Sequence, residues 1–146
     1  MKISSVFKNN EMIPRKFTCQ GEGINPKLVF EDIPKEAKSL ALIMDDPDAP
    51  NQTFVHWVIY NMPITDKIDE ASSLGIKGIN SAGAVGYYGP CPPTGTHRYF
   101  FKLYALDAML DLKREFSKKA LEMAMKDHII EKAQIIGIYI KNGKNA

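Results

Sequence analysis

Short apolar segments separated by proline, glycine, asparagine and aspartate run through most of this sequence, and this pattern restricts its possible folds more than any other feature. The segments of strand length are Lys2–Phe7, Lys27–Phe30, Ser39–Met44, Phe54–Asn61, Arg98–Leu106 and Gln134–Lys141. The breaks between them include Asn25-Pro26, Ile33-Pro34, Asp46-Pro47, Ala49-Pro50 and Met62-Pro63. Such punctuation favours an all-β core over repeated βαβ units.

One helix is predicted near the carboxyl end of the chain. Ser117 can cap it, and a single helical face would then carry Leu121, Ala124, Met125 and His128. A methionine-rich stripe of this kind is more typical of core packing than of a cofactor site. A weaker helix is expected over Thr65–Ser73, with Thr65 as its cap. Residues 74–88 are expected to be irregular, and Ala133–Ile140 is expected to return as a strand.

Composition indicates an ordinary globular domain. The chain has 146 residues, 45% of them hydrophobic and 25% charged, with a net charge of +2. We therefore expect one domain over residues 1–146 and no nucleic-acid surface. No apolar run is long enough to span a membrane, and no apolar signal region follows Met1–Ser5, so we expect a cytoplasmic protein. Cys19 and Cys91 do not form a disulfide framework by their number, and two free thiols are expected.

A rigid loop leads into the strand predicted at Arg98–Leu106. The loop, Gly89–Thr96, contains three prolines and two glycines, which exclude helix and central strand. Side chains alternate along a strand, so positions 97, 99, 101, 103 and 105 share one face. His97 and Tyr99 are therefore expected side by side at the mouth of whatever the loop encloses.

Two further features carry groups that bind ligands, although each also has a purely structural interpretation. The turn Asp45–Pro50 contains three carboxylates, yet an Asp/Pro cluster is most often a solvated turn. His56 lies in an apolar strand, where a single histidine is more often a hydrogen-bonded core residue. Taken together with His97 and Tyr99, however, these residues supply two imidazoles, a phenol and a loop N–H. Donors that converge in a small cleft suit an oxyanion such as phosphate, sulfate or carboxylate.

These residues resemble the phosphatidylethanolamine-binding protein family, which includes the Raf kinase inhibitor protein of animals. The motifs that carry the resemblance are Asp46–Pro50, Val55–Trp57 with Tyr60–Pro63, Gly89–Pro93 and Gly95–Tyr99. The short prokaryotic branch is the more similar one, since Ile13-Pro14, Lys16–Cys19 and Asn25-Pro26 also match. The resemblance covers nearly the whole chain.

The resemblance implies an all-β fold: a sandwich of two antiparallel β-sheets with one or two short peripheral helices and a small anion pocket. The implied ligand-binding residues are Asp46, His56, Gly89, Cys91, Pro92, His97 and Tyr99. The implied supporting residues are Asp48, Pro50, Trp57, Pro93 and Arg98. Cys91 would contribute its backbone N–H, and Asp48 would brace the turn. The resemblance also suggests a cis peptide at Ala49-Pro50.

The resemblance further implies a non-enzymatic protein that binds a phosphate, a phosphoryl headgroup, as in a phospholipid, or a carboxylate. It implies no catalytic residue, metal or cofactor. Two roles come with it, inhibition of serine proteases and inhibition or modulation of kinases, and for a prokaryotic-type chain the protease is favoured. Because short members of the family are often dimers, a homodimer is also expected.

The residues alone leave a second hypothesis open, a hydrolase or metal-dependent enzyme. His56 and His97 could form a two-His, carboxylate metal site with Asp46 and Asp48. Alternatively, Cys91 could act as a nucleophile with His97 as its base. The position of Cys91 between prolines, with no helix N-terminus to lower its pKa, counts against the second possibility.

Overall fold

The computed structural model describes residues 1–113 and 116–141, and both β-sheets lie within these ranges. The strands are β1 (Lys2–Ser5), β2 (Glu11–Met12), β3 (Leu28–Glu31), β4 (Ser39–Asp46), β5 (Phe54–Met62), β6 (Lys67–Ile68), β7 (Ile76–Lys77), β8 (Thr96–Leu106) and β9 (Ile129–Ile140). A short 3-10 helix spans Arg15–Phe17, and the helix α1 spans Lys118–Met125. The remaining parts of the expected domain, residues 114–115 and 142–146, lie outside the described residues.

The strands form two sheets, as expected. The smaller sheet has the antiparallel order β1-β3-β6, and the larger one has the order β2-β9-β8-β4-β5-β7. All pairs in the larger sheet are antiparallel except β2 with β9, which is parallel. The all-β prediction is therefore confirmed, with one parallel pair at an edge.

The larger sheet is buried on both faces at its centre. One core lies between the two sheets and contains residues such as Phe30, Leu42 and Phe101. A second core lies on the opposite face, where Leu121 and Met125 of α1 pack against the sheet. All eight residues of β4 are buried, which explains why this strand reads as a continuous apolar run rather than an alternating one.

The helix at Lys118–Met125 confirms the main helix prediction. The side chain of Ser117 accepts a hydrogen bond from the backbone N–H of Ala120, as an N-cap does. His128 is not on this helix, however, because α1 ends at Met125 and His128 lies in the following turn. Within the described residues no helix is long and apolar enough to cross a membrane.

The helix predicted over Thr65–Ser73 is wrong. Thr65 bonds through its side chain to the backbone of Lys67 and so makes a turn instead of a helix cap. Ile68 is then buried in the short strand β6, where it pairs with Leu28 of β3. Tertiary burial of one isoleucine thus outweighs the weak local helix signal.

Candidate functional site

The two central strands of the larger sheet bring the loop residues of the candidate site together. β4 and β8 are antiparallel neighbours, so the end of β4 lies beside the beginning of β8. Asp46 is the last residue of β4, and His97 is the second residue of β8. Both side chains are buried, and Nδ1 of His97 lies 2.6 Å from Oδ2 of Asp46. The carboxylate therefore accepts the Nδ1–H and fixes the orientation of the imidazole.

The alternation predicted for β8 is confirmed. Residues 97, 99, 101, 103 and 105 are all buried, whereas the residues between them are half-buried or exposed. The ring of Tyr99 lies 6.5 Å from that of His97 and 5.1 Å from that of His56, measured between centroids. The phenol ring is thus a neighbour of both imidazoles.

His56 is held by the residue that precedes the proline loop. Its Nδ1 lies 2.6 Å from the carbonyl oxygen of Tyr88, and its own carbonyl oxygen accepts a hydrogen bond from the N–H of Tyr88 at 2.9 Å. A carbonyl oxygen can only accept, so Nδ1 carries the hydrogen and Nε2 is the free ring nitrogen. Burial lowers the pKa of His56 below its ordinary value of 6.5, a shift that the Tyr88 carbonyl and the Asp46 and Asp45 carboxylates oppose.

Among the described residues, one buried side-chain polar atom has no hydrogen-bond partner, and it is the hydroxyl of Tyr99. The side chain is completely buried. Burial raises the pKa of Tyr99 well above its usual range, as do the Asp46 and Asp48 carboxylates, so the hydroxyl is a neutral donor. The backbone N–H of Cys91 is close enough to donate a hydrogen bond to the hydroxyl oxygen, which opposes this rise in the pKa of Tyr99. An unpartnered donor of this kind is rare in folded proteins and marks a position where a ligand can bond.

A cavity of about 260 Å³ opens at this point. Its lining residues are Asp46, Ala49, Pro50, Phe54, His56, Tyr88, Cys91, Pro92, Pro93, His97 and Tyr99. Of the expected ligand-binding residues, all but Gly89 line it. Gly89 is buried behind the loop, where an added Cβ would lie 2.8 Å from the carbonyl oxygen of Phe17. Glycine at this position lets the loop pack closely on its neighbour.

The expected supporting residues lie around the cavity in different ways. Pro50 and Pro93 line it, whereas Trp57 is buried away from it and packs edge-to-face on Tyr87 at 5.4 Å. The carboxylate of Asp48 binds the backbone N–H, Nε and Nη2 of Arg98 at 2.9–3.0 Å. These bonds lower the pKa of Asp48. They also tie the turn after β4 to the start of β8.

The sequence reasoning missed Phe54 and Tyr88, which line the cavity with their rings 5.7 Å apart. Phe54 was detectable, because residues two apart on a strand share a face and His56 follows it by two. No comparable pattern identifies Tyr88. The peptide bond between Ala49 and Pro50 is trans, so the expectation of a cis bond is wrong.

Cys19 and Cys91 form a disulfide, so the expectation of two free thiols is wrong. The cysteines are 72 residues apart in the sequence and their Cα atoms lie 5.4 Å apart. Their number and spacing carried no signal, since the pairing depends on how the proline loop packs beside the 3-10 helix. The disulfide also removes the Cys91 thiolate that the nucleophile hypothesis required.

The metal-site hypothesis is not supported by the positions of its residues. Asp48 is bound to Arg98, and the carboxylate of Asp46 is bound to His97. Among residues 1–113 and 116–141, no group of three or more His, Cys, Asp or Glu side chains is placed to hold a metal ion.

Comparisons with known proteins agree on one family. The family model described as phosphatidylethanolamine-binding protein matches residues 3–140. The UPF0098 protein of Methanothermobacter thermautotrophicus is 47% identical, covering 91% of this chain and 93% of the relative. The UPF0098 protein of Aquifex aeolicus is 49% identical, covering 94% of this chain and 86% of the relative.

Solved structures show the same architecture. A homologue of phosphatidylethanolamine-binding proteins from Chlamydia trachomatis has a TM-score of 0.93 and 41% identity, with 97% of both chains covered. Escherichia coli YbcL, described as a member of the mammalian PEBP family, has a TM-score of 0.88, covering 97% of this chain and 98% of its own, and its 24% identity makes this a likeness of fold. With the matched family model and these relatives, the chain belongs to the phosphatidylethanolamine-binding protein family.

Proposed function

We propose that this protein is a non-enzymatic binder of small oxyanions: phosphate, a phosphoryl group or a carboxylate. One observation carries the proposal. His56 and His97 each have Nδ1 engaged by a fixed acceptor, which leaves Nε2 free, and both rings neighbour the ring of Tyr99, whose buried hydroxyl has no acceptor among the described residues. The backbone N–H of Cys91 is a fourth candidate donor on the same wall.

Binding of an anion at this site is coupled to protonation. With Nδ1–H donated to Tyr88, neutral His56 offers only a lone pair at Nε2, which repels a fully ionised oxygen. Since burial lowers the pKa of His56, the free protein holds this ring neutral at pH 7. An anion therefore binds either with a proton taken up by the imidazole or through a proton of its own.

The cavity has room for an organic group as well as the anion. The polar atoms are concentrated on Asp46, His56, His97 and Tyr99, whereas Pro50, Phe54 and Pro93 supply apolar walls. We therefore favour a phosphoryl or carboxyl group carried on a larger molecule, such as a phospholipid headgroup or an acidic side chain of a protein.

The expected affinity of the bare anion is low. Charge-assisted hydrogen bonds contribute about 1.5–3 kcal/mol each, and three of them must also offset the cost of association. A dissociation constant near 1 mM, about −4 kcal/mol, is the result we expect. Tight binding then needs contacts outside the cavity, so we propose that the protein modulates a protein partner, a serine protease or a kinase.

Titration of inorganic phosphate tests the anion site. We expect millimolar binding to the wild type, loss of binding in His97→Ala, and unchanged binding in the control His128→Ala, whose exposed ring is hydrogen-bonded to Asp107. Circular dichroism should show that both variants fold. Equal phosphate affinity of His97→Ala and wild type would show that the anion does not bind in this cavity.

The proposed partner and assembly need separate measurements. Chymotrypsin-like and subtilisin-like proteases should lose activity at micromolar protein, and a kinase panel gives the parallel test. Unchanged activity throughout would reject the modulator role while leaving anion binding intact. Light scattering tests the proposed homodimer, and fractionation of cells tests the proposed cytoplasmic location.

A further inference from the structure

The Cys19–Cys91 disulfide joins the wall of the cavity to a separate segment of the chain. Cys91 lines the cavity, whereas Cys19 follows the 3-10 helix and does not. Cys19 is exposed and Cys91 is half-buried. One end of the bond therefore belongs to an exposed residue outside the cavity.

Contacts other than the disulfide hold the first part of the proline loop firmly. The N–H of Cys19 donates to the carbonyl oxygen of Pro90 at 3.1 Å. The hydroxyl of Tyr87 donates to the carbonyl oxygen of Phe17 at 2.8 Å. Gly89 packs directly on the backbone of Phe17. These contacts fix residues 87–90 whether or not the disulfide is present.

The second part of the loop has fewer hydrogen bonds to fix it. Within the described part of the chain, residues 91–95 make no backbone–backbone hydrogen bond. Pro92 and Pro93 have no N–H to donate. Thr94 and Gly95 are exposed, and a Cβ added at Gly95 would meet no atom within 4 Å. Pro92 is buried and so is held partly by packing, whereas the disulfide is the covalent link that fixes Cys91, next to the cavity wall formed by Pro92 and Pro93.

We propose that this disulfide is a thiol–disulfide exchange site through which a dithiol reductant weakens oxyanion binding in the cavity. The inference rests on the proposed function, because it concerns the affinity of the same site. Oxidised protein holds the Cys91 N–H and the proline wall in place for the anion, and reduced protein does not. An anion bound by preorganised donors loses affinity when they must be ordered on binding.

The exchange proceeds in two steps. One thiolate of the dithiol attacks Sγ of Cys19, the Cys19–Cys91 bond breaks, and Cys91 leaves as a thiolate that takes up a proton. The second thiol of the reductant, as its thiolate, attacks the mixed disulfide and releases Cys19, which is protonated in turn. The reductant is oxidised to its disulfide, and the protein gains two thiols.

Coupling between the two sites is reciprocal. If reduction weakens anion binding by a given factor, bound anion makes the disulfide harder to reduce by the same factor. A cytoplasmic location, as proposed above, is consistent with such a bond, since disulfides in that compartment are usually transient or redox-sensing.

The experiment titrates inorganic phosphate into the protein before and after treatment with dithiothreitol, in a buffer free of other oxyanions. Alkylation with iodoacetamide and mass measurement count the released thiols. We expect the dissociation constant to rise about fivefold or more on reduction and to return on reoxidation. The matched control, Cys19→Ser with Cys91→Ser, should bind as weakly as the reduced protein and ignore the reductant.

The other outcomes contradict either the redox inference alone or the proposed anion binding as well. Equal phosphate affinity in both redox states, with two thiols counted, overturns the redox inference and leaves the proposed function standing. Absence of phosphate binding in the oxidised protein overturns both. Hydrogen exchange gives an independent readout, because exchange of the backbone N–H of Cys91 should quicken on reduction while that of Tyr88, bonded to the carbonyl oxygen of His56, stays protected, and unchanged exchange at Cys91 refutes the tether.

Discussion

The carboxylate of Asp46 accepts a hydrogen bond at each of its oxygens, one from its own turn and one from His97. Its Oδ1 accepts the backbone N–H of Asp48 at 2.8 Å, while its Oδ2 lies 2.6 Å from Nδ1 of His97. The first bond closes the turn after β4, and the second fixes the imidazole at the start of β8. One carboxylate therefore joins the shape of the turn to the orientation of a proposed anion donor.

Replacing this carboxylate should weaken anion binding more than it weakens the fold. In Asp46→Asn the amide oxygen can still accept the Nδ1–H, but the variant lacks the negative charge that stabilises the imidazolium, which is the form of this ring with a second N–H, at Nε2, to donate to the anion. We expect roughly a tenfold loss of phosphate affinity, about 1.4 kcal/mol. The control is Asp107→Asn, which alters the exposed pair between Asp107 and His128. Similar phosphate affinities for the two variants would contradict this role of Asp46.

The depressed pKa of His56 predicts opposite effects of acid on stability and on binding. Because its folded pKa lies below 6.5, the unfolded chain takes up a proton first as the pH falls. This residue therefore destabilises the ligand-free fold progressively below about pH 6.5 and has no such effect at higher pH. Binding of an anion supplies a partner to the charged ring, so affinity should increase over the same fall in pH.

Sulfate is the appropriate probe for this prediction, since its charge is constant across the range and that of phosphate is not. Thermal unfolding measured from pH 8 to pH 5 should show a falling midpoint without sulfate and a smaller fall with it. In His56→Gln the acid-dependent loss should shrink. Sulfate affinity that stays constant over this range would exclude an imidazolium as a donor.

Local patterns in the sequence were sufficient for the centre of the fold. Alternation identified the buried face of β8 from His97 to Ala105, and the Ser117 cap located the helix. The pattern failed where burial is slight. The first half of β9, Ile129–Gln134, is exposed or half-buried, so its polar residues concealed a strand that pairs with β8 as far as Leu106.

The parts of the candidate site that sequence reasoning missed depend on contacts between distant segments. Cys19 meets Cys91 across 72 residues, and the Tyr88 carbonyl meets His56 across 32. Neither contact leaves a periodic signal near either residue. The residues of the cavity were found through motifs, whereas the bonds that orient them required the packing of the loop.

Loss of the disulfide should lower stability as well as affinity. A link between residues 72 apart restricts the unfolded chain strongly, and native disulfides of this kind typically contribute roughly 2–4 kcal/mol. We expect the Cys19→Ser, Cys91→Ser variant to lose about that amount in urea unfolding. Reduced wild type serves as the control and should unfold at the same urea concentration as the variant. A loss below about 1 kcal/mol would show that residual structure near the loop replaces the constraint.

Removal of the Tyr99 hydroxyl should stabilise the free protein and weaken its binding of anions. The hydroxyl is buried and its hydrogen has no acceptor among the described residues, and an unsatisfied buried donor of this kind costs about 1–3 kcal/mol. Tyr99→Phe removes that cost and keeps the ring beside His56 and His97. In the bound state, however, the variant lacks one donor to a charged ligand, so phosphate affinity should fall about tenfold or more.

Tyr87→Phe supplies the contrasting control for this prediction. The hydroxyl of Tyr87 donates to the carbonyl oxygen of Phe17 at 2.8 Å, so its removal leaves that carbonyl without its bond and should destabilise the fold by about 1 kcal/mol. Unfolding in urea should therefore shift in opposite directions for the two variants, and phosphate binding should fall sharply only in Tyr99→Phe. A Tyr99→Phe variant that loses stability and keeps its affinity would show that this hydroxyl has a structural role and no part in binding.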